Sequence, residues 1–392
     1  MVTVITITAL SSIYNHGKSI GRILFGDSND TYMDFYNSMM YKKEPYQNKV
    51  IYPPLANVIY YIISEFIPRK DFSKGSFAIR SSQMGRFIGG IYIAFSYLLF
   101  AYAVIKMKKG KIEEQMLLTM LLALSTPFIF QLERGNIIFL TCSFVMLYLY
   151  GYKSQNTLKK HLSFICLSIA AAFKIYPAIF GFLLLKEKRW KDAGICVLYG
   201  ISIFILPIIF LGGFSKFPLF IHNIINASSE LGIMLPNSIQ LSITNFCNTI
   251  AYYTKIEEIS YISSTVTMVV LFTGLLIILF SDFKEKWKTP AVACSLMISI
   301  PSFSFIYAMI FITIPLIIFL DEENTSHDKL FLTLFLLMLL PIPVRFTGYV
   351  ESIALLSMMA ILWCEGLTSI WQKAKQKILQ TRNQTNQIDS NN

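Results

Sequence analysis

The stretch "FKIYPAIFGFLLL", Phe173 to Leu185, decides how this chain folds. It places a lysine and a proline inside some two dozen otherwise apolar residues. In lipid, a lysine near mid-span costs roughly 2.5–3.5 kcal/mol on insertion scales. Proline removes a backbone donor and disfavours helix at the residue before it. One helix over Leu162–Leu185 would bury that charge and carry the "KEKRWK" cluster (Lys186–Lys191) to the far side of a membrane. A break at Lys174–Pro177 instead gives two short helices that meet at one face. A lysine snorkelling from a helix end is the plainer alternative.

Working outward, the 392 residues are 54% hydrophobic and only 15% charged, against roughly 25% charged in soluble domains. Apolar runs such as Phe87–Ile105, Ile195–Leu211 and Tyr261–Phe280 approach the ~20 residues that cross a bilayer, while others fall short. The runs are continuous rather than alternating, which excludes a β-barrel. The expected fold is an all-α polytopic membrane protein, a bundle of about ten to thirteen transmembrane helices, some short or broken. Residues 1–371 form one multi-spanning domain, and 372–392 a polar cytoplasmic tail.

The net charge of +11 is concentrated in short clusters between apolar runs. That is the pattern of cytoplasmic loops, not of a nucleic-acid surface. Lys106–Lys111, Lys153–Lys160, Lys186–Lys191, Lys284–Lys288 and the tail therefore share the cytoplasmic face. Gln131–Asn136, Lys174–Pro177, Gly212–Ser260, Pro301–Phe305 and Pro341–Tyr349 then lie on the other. The N-terminal part does not close under this scheme unless one of Ile51–Ile67 and Phe87–Ile105 fails to cross. Ile51–Ile67, flanked by prolines and carrying Glu65, is the weaker. Met1–Tyr14 lacks a basic leader and a small-residue cleavage site, so it does not read as a signal peptide.

The six cysteines are scattered without a CxxC pair and read as small core residues. No phosphate-binding loop, dinucleotide glycine pattern or HExxH occurs. No internal repeat is visible, which weighs against a secondary transporter.

Four polar interruptions remain. Asp27, Asp30 and Asp34 precede Tyr36, Tyr46 and Tyr52 and the double proline Pro53–Pro54. With Tyr32, these tyrosines are candidates to stack on a sugar, although interfaces are also rich in aromatics. "QLERGN" offers Glu133, Arg134 and Asn136, or merely a capped turn. "FKIYP" offers Lys174 and Tyr176. "LPNSIQLSITNF" offers Asn237, Gln240 and Ser242, or a plain loop. Together they place an acid, two fixed cations and an amide-rich loop on one face. That inventory suits transfer from a phosphate leaving group to an alcohol: the cations stabilise the phosphate and the carboxylate takes the proton.

The order D-F-Y, Y-P-P-L, E-R-G-N, K-I-Y-P, N-S-I-Q-L-S and P-S-F-S-F-x-Y, over roughly Asp30 to Tyr349, resembles glycosyltransferase family 87. The resemblance implies a GT-C membrane enzyme, here a hexosyltransferase and by analogy a mannosyltransferase. It would take sugar from a polyprenyl-phosphate donor, among membrane lipids, to a lipid-linked or polysaccharide acceptor. No cofactor, metal or nucleic-acid partner is implied. By position, Asp34 matches the catalytic acid, with Asp30 second. Lys174, Arg134, Tyr176 and Arg345 are assigned to the donor phosphate. Asn136, Asn237, Gln240, Ser242, Tyr36, Tyr52 and Tyr307 are assigned to substrate. Where the family often carries Trp and His in a late element, this chain has Phe305, Tyr307 and Ala308, so Tyr307 either substitutes or the role is missing. The implied place is the inner (cytoplasmic) membrane, with the site facing outward. A lipid-linked glycan flippase and a polysaccharide polymerase are the rival readings.

Overall fold

The computed structural model describes residues 31–229, 236–322, 328–340 and 347–390. Asp27, Asp30, Arg345 and the Met1–Tyr14 segment lie outside them. Among the described residues the secondary structure is helical, apart from one isolated antiparallel bridge between Gln240 and Phe305. Among the described residues four helices are long and apolar enough to cross a membrane: Gln83–Met107, Trp190–Leu211, Ser263–Phe280 and Gly348–Gln380. Ile112–Ala123 and Thr126–Arg134 add a fifth crossing if taken together, bent by 64°. Shorter apolar helices, including Pro54–Ser64, Ile138–Gly151, Tyr176–Lys186 and Ile306–Phe319, pack among them. This is an all-α polytopic membrane protein with short and broken members.

The break at Lys174 is present. The Thr157–Phe173 helix ends where Lys174 becomes extended (φ −145°, ψ 132°), and a 3₁₀ turn over Tyr176–Gly181 leads into Phe182–Lys186. The chain reverses there. Lys160 pairs with Asp192 at 3.1 Å, and a Cβ at Gly200 would lie 4.0 Å from Ser168 Oγ, so Thr157–Phe173 and Trp190–Ile205 run parallel. The segment between them must therefore return, and Lys153 meets Glu187 at 2.6 Å.

These contacts belong to a chain of links that joins all five basic clusters. Lys186 Nζ donates to Thr289 Oγ1 at 3.0 Å. Lys286 N donates to Glu322 Oε1 at 2.7 Å, and the neighbouring Asp321 pairs with Lys108. Lys373 meets Asp282 at 3.1 Å. The clusters expected on one face are thus on one face. Ile138–Gly151, Thr157–Phe173 and Lys288–Ser299 lead from it to Asn136, Lys174 and Ile300 at the other end, roughly 18–26 Å away at 1.5 Å per residue.

The weaker N-terminal candidate is a short helix. Pro54–Ser64 has 11 residues, about 16 Å, too short to cross the ~30 Å core alone. Pro54 at its first turn costs no hydrogen bond. The boundary drawn at residue 371 falls inside one continuous helix, Thr347–Ser390.

Candidate functional site

The end opposite the basic clusters holds a cavity of about 440 Å³, within the range of small-molecule sites. Asp34, Tyr52, Arg134, Asn136, Lys174, Tyr176 and Tyr307 all line it, as do Ser302 and Ser304.

Each polar group arrives from a chain break. Tyr32 adopts a left-handed conformation (φ 59°) before the Met33–Met40 helix, and its N–H donates to Glu133 O at 2.5 Å. Such a conformation is uncommon for a bulky residue and collects at functional sites. It puts Asp34 in the first helical turn, where the helix dipole favours a carboxylate. Gly135 ends Thr126–Arg134 with φ 64°, and a Cβ there would sit 3.2 Å from Phe35 Cβ. Asn136 Oδ1 then takes Ile138 N at 3.1 Å, starting the next helix. "ERGN" is thus both a capped turn and a source of cavity-lining residues.

That turn grips Asp34 from two sides. Arg134 Nη2 donates to Asp34 Oδ1 at 2.5 Å, and Asn136 Nδ2 donates to Oδ2 at 2.7 Å. Asn136 Nδ2 also reaches Tyr52 Oη at 3.0 Å. Burial pushes the Asp34 carboxyl above its ordinary range, while the Asn136 hydrogen bond and the Lys174 charge pull it back.

Lys174 is enclosed by protein but opens onto the cavity. Its ammonium lies 4.1 Å from the centre of the Tyr52 ring, a cation–π contact. Among the described residues no carboxylate comes within 4.0 Å of it. Burial lowers its pKa to about 8, and Asp34 partly offsets this. Tyr307 stacks on Phe130 at 14° and 6.1 Å, which fixes its ring at the cavity wall.

Other expected residues sit elsewhere. Tyr36 is buried against Phe35, and its hydroxyl donates to Gly85 O at 2.9 Å. Tyr46 packs on Phe220 at 5.1 Å, and its hydroxyl donates to Tyr52 O at 3.4 Å. Tyr32 lines a different pocket, beside Arg80 and Arg86. Asn237, Gln240 and Ser242 do not line the cavity. Ser242 caps the Ile243–Thr254 helix, accepting from Asn245 N at 3.1 Å, and Gln240 donates to Ser302 O. Asp30 and Arg345 lie outside the described residues. Ile224, Ile300 and the Pro301–Phe305 wall also line the cavity; the sequence placed Pro301–Phe305 on this face but assigned it no role.

The model of glycosyltransferase family 87 matches residues 51–306, more than half of the 392-residue chain. The chain belongs to glycosyltransferase family 87. No match was found among curated proteins or among solved structures. The matched stretch includes Tyr52, Arg134, Asn136, Lys174 and Tyr176. Asp34 lies before it, so the place of Asp34 in a family 87 site rests on the hydrogen bonds from Arg134 and Asn136. With its helices, this member of the family is a membrane glycosyltransferase.

Proposed function

We propose that the protein is an inverting hexosyltransferase of the GT-C type. It would move a sugar, mannose being the first candidate, from a polyprenyl-phosphate donor to a lipid-linked or polysaccharide acceptor at the outer face of the cytoplasmic membrane. One observation carries the reading: a partly buried, oriented carboxylate and a cation that meets no carboxylate within 4.0 Å among the described residues line the same cavity.

In this scheme the acceptor hydroxyl attacks the anomeric carbon from the side opposite the phosphate. The new C–O bond forms as the bond to phosphate breaks, inverting the centre. Asp34 takes the hydroxyl proton, and the phosphate leaves with the bonding pair toward Lys174. Arg134, bonded to Asp34, orients the base. The phosphate then falls chiefly to Lys174, helped by the neutral donor Tyr176. Burial makes that charge count for more than it would in water.

The basic face supports the orientation. Five lysine-rich clusters joined at one end favour the cytoplasmic side, which puts the cavity on the other. The testing experiment offers purified protein a panel of polyprenyl-phosphate hexoses, each with a glycan acceptor. Transfer from at least one, with inverted anomeric configuration, is expected. Retained configuration, or transfer from a nucleotide sugar only, would overturn the scheme.

A further inference from the structure

We infer that Asn245, which does not touch the cavity, is the positioning residue for its Pro301–Ala308 wall. The inference rests on the proposed function only in calling that wall a substrate surface.

The argument begins with how little holds the wall in place locally. Residues 301–305 are not helical, and their backbone finds partners across the bridge at Gln240–Phe305. Leu241 N donates to Ser304 O at 2.7 Å, and Ile306 N donates to Ile239 O at 2.9 Å. The Gln240 side-chain amide donates to Ser302 O. The wall is therefore as well placed as the Asn237–Ser242 segment that grips it.

Within that segment Gln240 N donates to Asn237 O at 3.1 Å and Ile239 N to Asn237 Oδ1 at 3.1 Å, and one side chain from outside it, Asn245, ties Asn237 to Gln240. Asn245 Nδ2 donates to Asn237 O at 2.9 Å and to Gln240 O at 2.8 Å, and its Oδ1 accepts from Asn237 N at 3.1 Å. Asn245 and Gln240 are both buried, so the Gln240 carbonyl released by loss of the amide would be left without that donor rather than meet water. The Ser242 cap uses the Asn245 backbone N–H and survives any substitution there.

A second element presses from outside. A Cβ at Gly348 would lie 1.8 Å from Ser238 O and 3.2 Å from Ile239 Cα. A methyl group there must push the same segment. Asn245→Ala and Gly348→Ala, unrelated in sequence and chemistry, should converge on one effect.

The test has two readouts. Hydrogen exchange on the purified, substrate-free protein should show faster exchange at the Leu241 and Ile306 amides in both variants. Kinetics with the polyprenyl-phosphate hexose that the wild type uses should show KM raised roughly 10- to 100-fold, with kcat and its pH profile within about threefold of wild type. Asn248→Ala is the control for lost buried amide bonding alone. It removes the acceptor of the Ser260 hydroxyl, one helical turn from Asn245, and should lower Tm without moving KM.

Unchanged exchange in both variants overturns the brace. Faster exchange with unchanged KM overturns its link to substrate. A fall in kcat with a shifted pH profile makes Asn245 act on Asp34 and also overturns the proposal. If Asn245→Ala does not fold, Gly348→Ala decides alone. If the wild type uses no lipid-phosphate sugar, the donor class falls, and the exchange arm still decides whether the brace exists.

Discussion

Two lysines at opposite ends of this molecule, Lys288 buried and Lys174 enclosed beside a cavity, differ in how their charge is answered. Lys288, on the basic face, meets Glu365 at 2.7 Å and Glu285 at 3.2 Å, beside the rings of Phe331 and Trp287. Its charge is answered within the fold. Lys174 rests on one tyrosine face above a cavity, with no carboxylate within ion-pair distance among the described residues. A buried charge is retained at that cost only if something completes it. At Lys288 the protein completes it. At Lys174 an anionic ligand would.

The largest expected effect breaks the functional end. Asp34→Asn should lower kcat by about 10²–10⁴-fold while leaving donor binding in place, checked by single-turnover transfer beside a donor-binding titration. Unchanged turnover would remove Asp34 as the base.

Next comes the lysine pair itself. Lys174→Met should weaken binding of the lipid-phosphate sugar by roughly 10- to 100-fold, the value of a charged hydrogen bond, with little loss of Tm. Lys288→Met should do the reverse: it strands two carboxylates, lowers Tm, and leaves KM unchanged. Equal effects on KM would dissolve the contrast.

A smaller effect sharpens how the base is held. Asn136→Ala removes one of the two donors on Asp34 and frees the Tyr52 hydroxyl. A fall in kcat of about tenfold is expected, one oriented hydrogen bond being worth about 1.4 kcal/mol. KM should move less.

The smallest is a pH dependence. Lys174 carries its charge below its pKa of about 8 and loses it above. Donor affinity, and with it kcat/KM, should therefore decline as pH rises through about 8. Asp34 is the base only when ionised, so its raised pKa should move the acid limb above the ordinary carboxylate range. In Lys174→Met the alkaline limb should vanish and the acid limb remain.

Much of this was legible in the residues. A lysine and a proline inside an apolar run imply a break, because lipid penalises the charge and proline the hydrogen bond. Lysine-rich clusters imply a shared face, because loops at that face carry them. Arg134, Gly135 and Asn136 imply a turn that offers polar side chains, and the turn is there. Less was legible where one residue type serves two purposes. Asn237, Gln240 and Ser242 read as sugar ligands because amides and hydroxyls bind sugars, yet their hydrogen bonds hold backbone. Tyr36 and Tyr52 look alike in sequence, but one hydroxyl serves Gly85 O and the other reaches the site.

The amino-acid sequence by itself determined the solvent, the position of the break at Lys174 and the common face of the basic clusters. These follow from local transfer costs that each segment bears alone. Only the tertiary structure decided that Asp34 meets Arg134 and Asn136, about a hundred residues away. It alone decided that Lys174 meets no carboxylate among the described residues, and that the amide-rich loop supports the wall rather than lining it. Those facts depend on which ends of which helices come together, and contacts between distant segments leave no local pattern to read.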